Sequence, residues 1–354
     1  MRSTAHKTLV SRMQGAVLLR ALLVVAALAL LAAAGAAWWV NRWLDTPLAG
    51  LTTSRTFEIP RGSSMRSVAN ALAAAEVLDQ PTVWVGWARL TKRESSLKAG
   101  EYELAPGMTP RTLFEHLSGG RVLLHSITFI EGSTFADIRN VLAAHEAVDA
   151  RFKDKTAEEL MAALGAPGVH PEGQFFPDTY RFPRGTSDLE LLGIAYRRMQ
   201  SELHSVWEAR VPDLPLASPY EALILASIVE KETALDTERP VVAGVFVERL
   251  RRGMRLQTDP TVIYGMMDRY DGNIRKADLL RDTPYNTYTR AGLPPTPIAM
   301  PSLESLRAAT QPQVTGALFF VATGEPDGSH YFSKTLAEHE AAVQRYLRKL
   351  RERR

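Results

Sequence analysis

The chain has 354 residues, enough for two domains of ordinary size, with 45% apolar residues and a formal net charge of +3. It contains no cysteine, which excludes disulfides and thiolate metal sites. Four basic residues (Arg2, Lys7, Arg12 and Arg20) precede the first long apolar run; subtracting them from +3 leaves −1 for the rest, so no nucleic-acid partner is indicated.

Ala21–Val40 is a run without a charge, long enough to cross a hydrocarbon core of about 30 Å. Basic residues flank it on the N-terminal side, and Trp38, Trp39 and Arg42 mark the far interface. The expectation is one transmembrane helix over residues 21–40. Residues 1–20 would be cytoplasmic and residues 41–354 outside the cell (inner) membrane. A cleavable signal peptide is the competing reading, with Ala32-Ala-Ala-Gly-Ala-Ala37 as its small-residue site. The apolar run is too long for a typical signal core, which favours the anchor.

Residues 41–56 read as a linker. A weak repeat follows, in which a short alternating strand, a Gly turn and a Ser or Thr cap lead into an amphipathic helix. Phe57–Ser64 leads into Met65–Leu72, Tyr102–Thr109 into Pro110–Leu117, and Ile127–Thr134 into Phe135–Ala143. Residues 57–124 then form a small α/β subdomain and residues 125–354 a larger mixed α/β domain, giving an α+β chain overall. Within 125–215, His170-Pro-Glu-Gly-Gln-Phe-Phe-Pro-Asp-Thr-Tyr-Arg-Phe182 is too rich in proline and aromatics for a helix, and predicts an ordered loop or short strand.

Ser218, Pro219 and Glu221 predict a helix start with a capping box. Ala222–Val229 carries no charge on any side, the pattern of a helix buried in a core. Glu230 in its last turn leaves on a face shared with Leu223, Ala226 and Ser227, an apolar setting that suits a general acid. An ion pair to Lys231 or Arg249 is the plainer alternative. A second helix is opened by Asp236, Thr237 and Pro240 and ends at Gly253; a third starts at Pro260 behind Thr258 or Asp259. Leu318–Ala322 predicts a buried strand, Ser329–Thr335 a second one, and the basic final helix a solvated end.

Glu230-Lys-Glu-Thr233, Val242-Ala-Gly-Val-Phe246, Gly253-Met-Arg-Leu-Gln-Thr-Asp-Pro-Thr-Val-Ile-Tyr-Gly265, Pro284-Tyr-Asn-Thr-Tyr288 and Gly292-Leu-Pro-Pro295 together resemble the MltG (YceG-like) family. That resemblance implies a membrane-anchored endolytic murein transglycosylase with Glu230 in the catalytic position. It also implies a LysM-like module over 57–124, for which a plain spacer is the alternative. The Glu-Gly…Phe-Pro-Asp-Thr-Tyr segment of the family lies beside the active site, which makes Glu172 and Asp178 candidates for contacts to sugar hydroxyls. Gln257, Thr258, Asp259 and Tyr264, with Tyr285, Asn286 and Tyr288, complete the candidate substrate-binding set. The family usually has Gly and Asn where this chain has Thr296 and Met300.

Glycoside hydrolysis ordinarily uses two carboxylates, and only Glu230 has a convincing setting here. One carboxyl suffices for a lytic transglycosylase. It protonates the glycosidic oxygen, then takes the proton from the C6 hydroxyl of the same N-acetylmuramoyl unit, leaving a 1,6-anhydro end. A muramidase using Asp259 or Asp178 as second carboxylate, or a non-catalytic glycan-binding anchor, are the rival readings. The eight histidines show no paired spacing, so neither metal nor cofactor is expected. Peptidoglycan strands are the expected partner, with peptidoglycan synthases behind them.

Overall fold

A computed structural model describes residues 3–352. Arg2, Arg353 and Arg354 lie outside the described residues, as do the side chains of Lys7 and Arg12. The chain divides into two compact units, Met1–Leu124 and His125–Arg354.

The first unit opens with helix α1 (Ser3–Leu44), whose segment Arg20–Leu44 has a mean hydropathy of 2.3 and is long and apolar enough to cross a membrane. The expected linker over residues 41–56 is corrected. α1 runs on to Leu44, and Leu44, Leu48 and Leu51 are buried in the unit's core. Beyond α1 the chain is held to the unit by its backbone as well, Leu48 N–H donating to Met108 O at 2.8 Å.

Strand β1 (Arg55–Ile59) leads to α2 (Met65–Ala74), capped by Ser64, and to α3 (Pro81–Leu90). Strand β2 (Gly100–Leu104) pairs antiparallel with β1, Tyr102 opposite Phe57, and leads to α4 (Pro110–Gly119) behind a Thr109–Thr112 capping box. Trp84, Tyr102 and Phe114 fill the space between sheet and helices.

The second unit repeats the motif once. Strand β3 (Leu124–Thr128) leads through a Gly132 turn to α5 (Phe135–Ala144), capped by Thr134. After β4 (Val148–Asp149) and α6 (Ala157–Ala163), strand β5 (Thr179–Pro183) pairs with β3. Strand β6 (Thr186–Ser187) pairs in parallel with β4 and feeds the long α7 (Asp188–Glu208). The remaining helices are α8 (Pro219–Glu232), α9 (Arg239–Arg251), α10 (Asp259–Met266), α11 (Lys276–Leu280) and α12 (Leu303–Thr310). Antiparallel strands β7 (Phe319–Ala322) and β8 (His330–Ser333), covered by α13 (Leu336–Glu352), close the chain. β7 is half-buried along its length rather than fully buried.

α8 is the axis of this unit. Every residue from Ala222 to Val229 is buried, and α7, α9, α10 and α12 all pack on it. Burial of each large side chain here contributes about 1.5–3 kcal/mol. Ser218 caps it by accepting from Glu221 N–H, but the reciprocal half of the expected box is absent. The Glu221 carboxylate takes Ala217 N–H instead, at 2.6 Å. In α9, Gly244 lets the helix meet the backbone of Gln313: a Cβ there would lie 2.2 Å from the Gln313 carbonyl oxygen.

Candidate active site

The C-terminal end of α8 opens into a cleft of about 760 Å³. Its walls are residues 128–132 after β3, Pro177–Thr179 at the start of β5, residues 230–234, and Arg239 at the start of α9. α8 can carry polar groups at this end because its apolar stretch stops at Val229, where the helix leaves the core.

Glu230 turns its side chain inward, leaving it 6% exposed. The face it enters is polar, not apolar. Ser302, the N-cap of α12, donates both its backbone N–H (2.9 Å) and its hydroxyl to Glu230 Oε2, and the Ser305 hydroxyl donates to the same oxygen at 2.7 Å. The Ser302 oxygen also accepts from Ser305 N–H at 3.2 Å, so one hydroxyl caps a helix and holds the carboxylate. Oε1 has a single, long contact, to the Arg239 guanidinium at 3.4 Å. The carboxylate thus sits between the negative end of the α8 dipole and the positive end of the α12 dipole.

Neither expected ion pair forms. Lys231 Nζ donates to Gly132 O at 3.1 Å, and Arg249 is buried against the carbonyls of Leu318 and Leu256. Arg239 pairs with Asp236 at 2.6 Å as well as with Glu230, while its buried Nε has no partner among the described residues.

Of the candidate substrate-binding residues, Asp178 shares the cleft lining with Glu230, and it is paired with Arg198. Glu172 is buried elsewhere: it accepts from Phe135 N–H at the start of α5 and from the Tyr264 hydroxyl, each at 3.0 Å. Burial pushes its carboxyl up to about 7, against those hydrogen bonds. Tyr264 stacks edge-on against Tyr285, whose hydroxyl meets Thr296 Oγ1 at 2.8 Å. Asn286 is buried, its amide donating to the carbonyls of Asp278, Leu279 and Arg281 at the end of α11. Tyr288 donates to the Asp259 carboxylate at 2.6 Å. Gln257 is exposed in the left-handed region, and buried Thr258 donates its hydroxyl to Glu232.

Glu232 belongs to the same helix end and to the cleft lining, but its carboxyl is directed to Thr258 rather than to Ser302. Burial raises it to about 7, with the Thr258 hydrogen bond opposing. Thr296 and Met300 are interior. Met300 meets the turn after β3 through its main chain, accepting from Gly132 N–H and donating to Ser133 O, each at 2.8 Å.

Sequence reading missed Ser302, Ser305, Arg239 and Glu131. The two serines lie 72 and 75 residues beyond Glu230, so no local pattern links them to it. Glu131 was in view only as part of a repeated turn.

The end of one buried helix brings Glu230 to an open cleft, and the N-terminus of another helix holds its carboxylate there. The chain belongs to the YceG-like family, whose model matches residues 57–345. The endolytic murein transglycosylase of Bacillus subtilis (strain 168) is 31% identical over 312 residues, covering 83% of this chain and 85% of that protein. The protein of the same name from Streptococcus pneumoniae (strain R6) is 28% identical over 82% of this chain, which spans 58% of its length. The 2.6 Å crystal structure of a YceG-like protein from Listeria monocytogenes superposes with a TM-score of 0.54 at 29% identity, over 81% of this chain and 98% of that one.

Proposed function

We propose that the chain is an endolytic lytic transglycosylase of peptidoglycan, cutting the MurNAc–GlcNAc bond within glycan strands and leaving 1,6-anhydroMurNAc ends. The observation that carries this reading is the fixed Glu230 carboxyl at the end of the cleft, in a chain whose curated relatives bear that activity in their names. With Oε2 held by Ser302 and Ser305, Oε1 is the oxygen available to exchange a proton with substrate. Glu230 protonates the glycosidic oxygen as the C1–O bond breaks. The resulting carboxylate, beside Arg239, then takes the proton of the C6 hydroxyl as that oxygen closes on C1. Asp178, paired with Arg198 and lining the same cleft, is read as an acceptor for sugar hydroxyls.

Arg20–Leu44 serves in this reading as an uncleaved single-pass anchor in the cell (inner) membrane, N-terminus inside. Cleavage then falls on strands being made near the membrane, where it terminates their elongation, beside peptidoglycan synthases. Residues 57–124 are read as a LysM-like unit that binds glycan, on the support of two strand–turn–capped-helix copies around one small sheet. The test of the activity is to incubate the full-length chain in detergent with purified peptidoglycan and weigh the products. Fragments ending in anhydroMurNAc are expected; fragments one water heavier would make the chain a muramidase.

A further inference from the structure

The turn between β3 and α5 brings a second carboxyl into the cleft. Glu131 lines it together with Glu230. The turn is fixed from three directions. Gly132 N–H donates to Met300 O, Met300 N–H donates to Ser133 O, and Lys231 Nζ donates to Gly132 O. A Cβ on Gly132, in the left-handed region at φ 71°, would stand 3.8 Å from Glu230 Cγ, so the backbone beside Glu131 lies against the Glu230 side chain.

Among the described residues Glu131 has no hydrogen-bond or ion-pair partner. The charged groups around it are Glu230, Arg239, Glu304 and Asp236, with Lys231, Glu232 and Asp178 also on the cleft wall. The cations there are engaged elsewhere: Arg239 with Glu230 and Asp236, Lys231 with Gly132 O, while Arg198 holds Asp178. An exposed carboxylate fixed among other carboxylates, with no cation of its own, gains most from a positive charge that arrives with the substrate.

We propose that Glu131 is a second catalytic carboxylate, facing the sugar ring beside Glu230 and stabilising the positive charge that develops at C1 as the glycosidic bond breaks. This rests on the transglycosylase reading above and deepens it. The Glu230 proton goes to the glycosidic oxygen and the bonding pair leaves with that oxygen. Glu131 stays ionised and forms no bond, the C6 oxygen adds to C1, and its proton returns to Glu230; no water is consumed. The coupling between the two carboxyls also shows on Glu131, whose titration is pushed up first by partial loss of water in the cleft and then by the Glu230 charge, with Arg239 opposing.

The experiment is the rate of glycan cleavage against pH for the full-length chain and for Glu131→Gln, Glu131→Asp and Glu230→Gln, with product masses. Removing one preorganised charge from a dry site costs about 10²–10³ in kcat. Glu131 is exposed and partly screened, so Glu131→Gln should lower kcat at least about 10-fold, with KM little changed. The alkaline limb of its profile should move to lower pH, because the neighbouring negative charge no longer opposes ionisation. Glu131→Asp should recover part of the rate, and the product should remain the anhydro end. Wild-type kcat with an unmoved limb in Glu131→Gln, alongside an inactive Glu230→Gln, would overturn the proposal and leave the transglycosylase reading standing. Loss of activity with an unmoved limb and no recovery in the Asp variant would assign Glu131 a structural part, which overturns it equally. An active Glu230→Gln would remove the reading beneath it, and the proposal with it.

Discussion

Three donors converge on Glu230 Oε2, two of them side-chain hydroxyls, and one of these, on Ser302, also caps α12. Ser302→Ala removes one of them and the α12 cap together, so it should lower stability by about 1 kcal/mol as well as activity. Ser305→Ala removes only the hydroxyl donor. Loss of both hydroxyls should lower kcat by roughly 10- to 100-fold through misplacement of the carboxyl, with KM nearly unchanged. A double variant with wild-type kcat would mean that the backbone N–H of Ser302 holds the carboxylate unaided. Much of this residue-level picture was hidden in the sequence. Glu230 stood out because a charge ends an apolar helix, which is a local signal. Its partners are remote in sequence, and serine at a helix start reads as a cap and nothing more. The internal contacts of Asn286 and Tyr285 were equally hidden: the amide satisfies carbonyls at the end of α11 and the phenol meets a threonine.

At the scale of elements, two carboxyls, Glu172 buried and Glu232 partly buried, tie helices together: Glu172 joins the start of α5 to α10 through Tyr264, and Glu232 joins the end of α8 to Thr258. Both titrate near 7 in the folded chain, above their ordinary value of 4.5. Below 4.5 both folded and unfolded chains hold the protons, and this contribution to stability is fully present. Between 4.5 and about 7 only the folded chain holds them, so stability is lost as pH rises through that window. Glu172→Gln and Glu232→Gln should each flatten the decline by about 1–3 kcal/mol, read from urea midpoints at either end of the window. A variant that declines as steeply as the wild type would contradict the assignment of that carboxyl. Gly244→Ala tests packing alone. Its methyl group would collide with the Gln313 carbonyl, so a loss of about 1–3 kcal/mol is expected, with kcat of the remaining folded protein unaltered. The helices were legible from caps and periodicity: Ser218, Thr109 and Thr134 all stand where the pattern puts them. The stretch after α1 was misjudged because it lacks a cap or a repeat. Its leucines, Leu48 and Leu51, join Leu44 in the core of the unit.

At the scale of the whole molecule, the first unit carries a helix long and apolar enough to cross a membrane, and the second carries the cleft that Glu230 lines. In cells, protease added to spheroplasts should degrade residues 41–354 while the N-terminus of the purified chain begins at or near Met1. A chain beginning near Ala37 would make the helix a signal peptide and detach the cleavage from the membrane. The central claim is that the Glu230 carboxyl carries the proton both ways. Its most direct test is Glu230→Gln in the full-length chain, assayed on purified peptidoglycan by mass, with circular dichroism to verify the fold. The amide keeps the shape and accepts from Ser302 or Ser305 but has no proton to give. Anhydro-ended fragments should therefore fall by about 10²- to 10⁴-fold in a folded protein. A folded Glu230→Gln variant that releases them at near the wild-type rate would contradict the account.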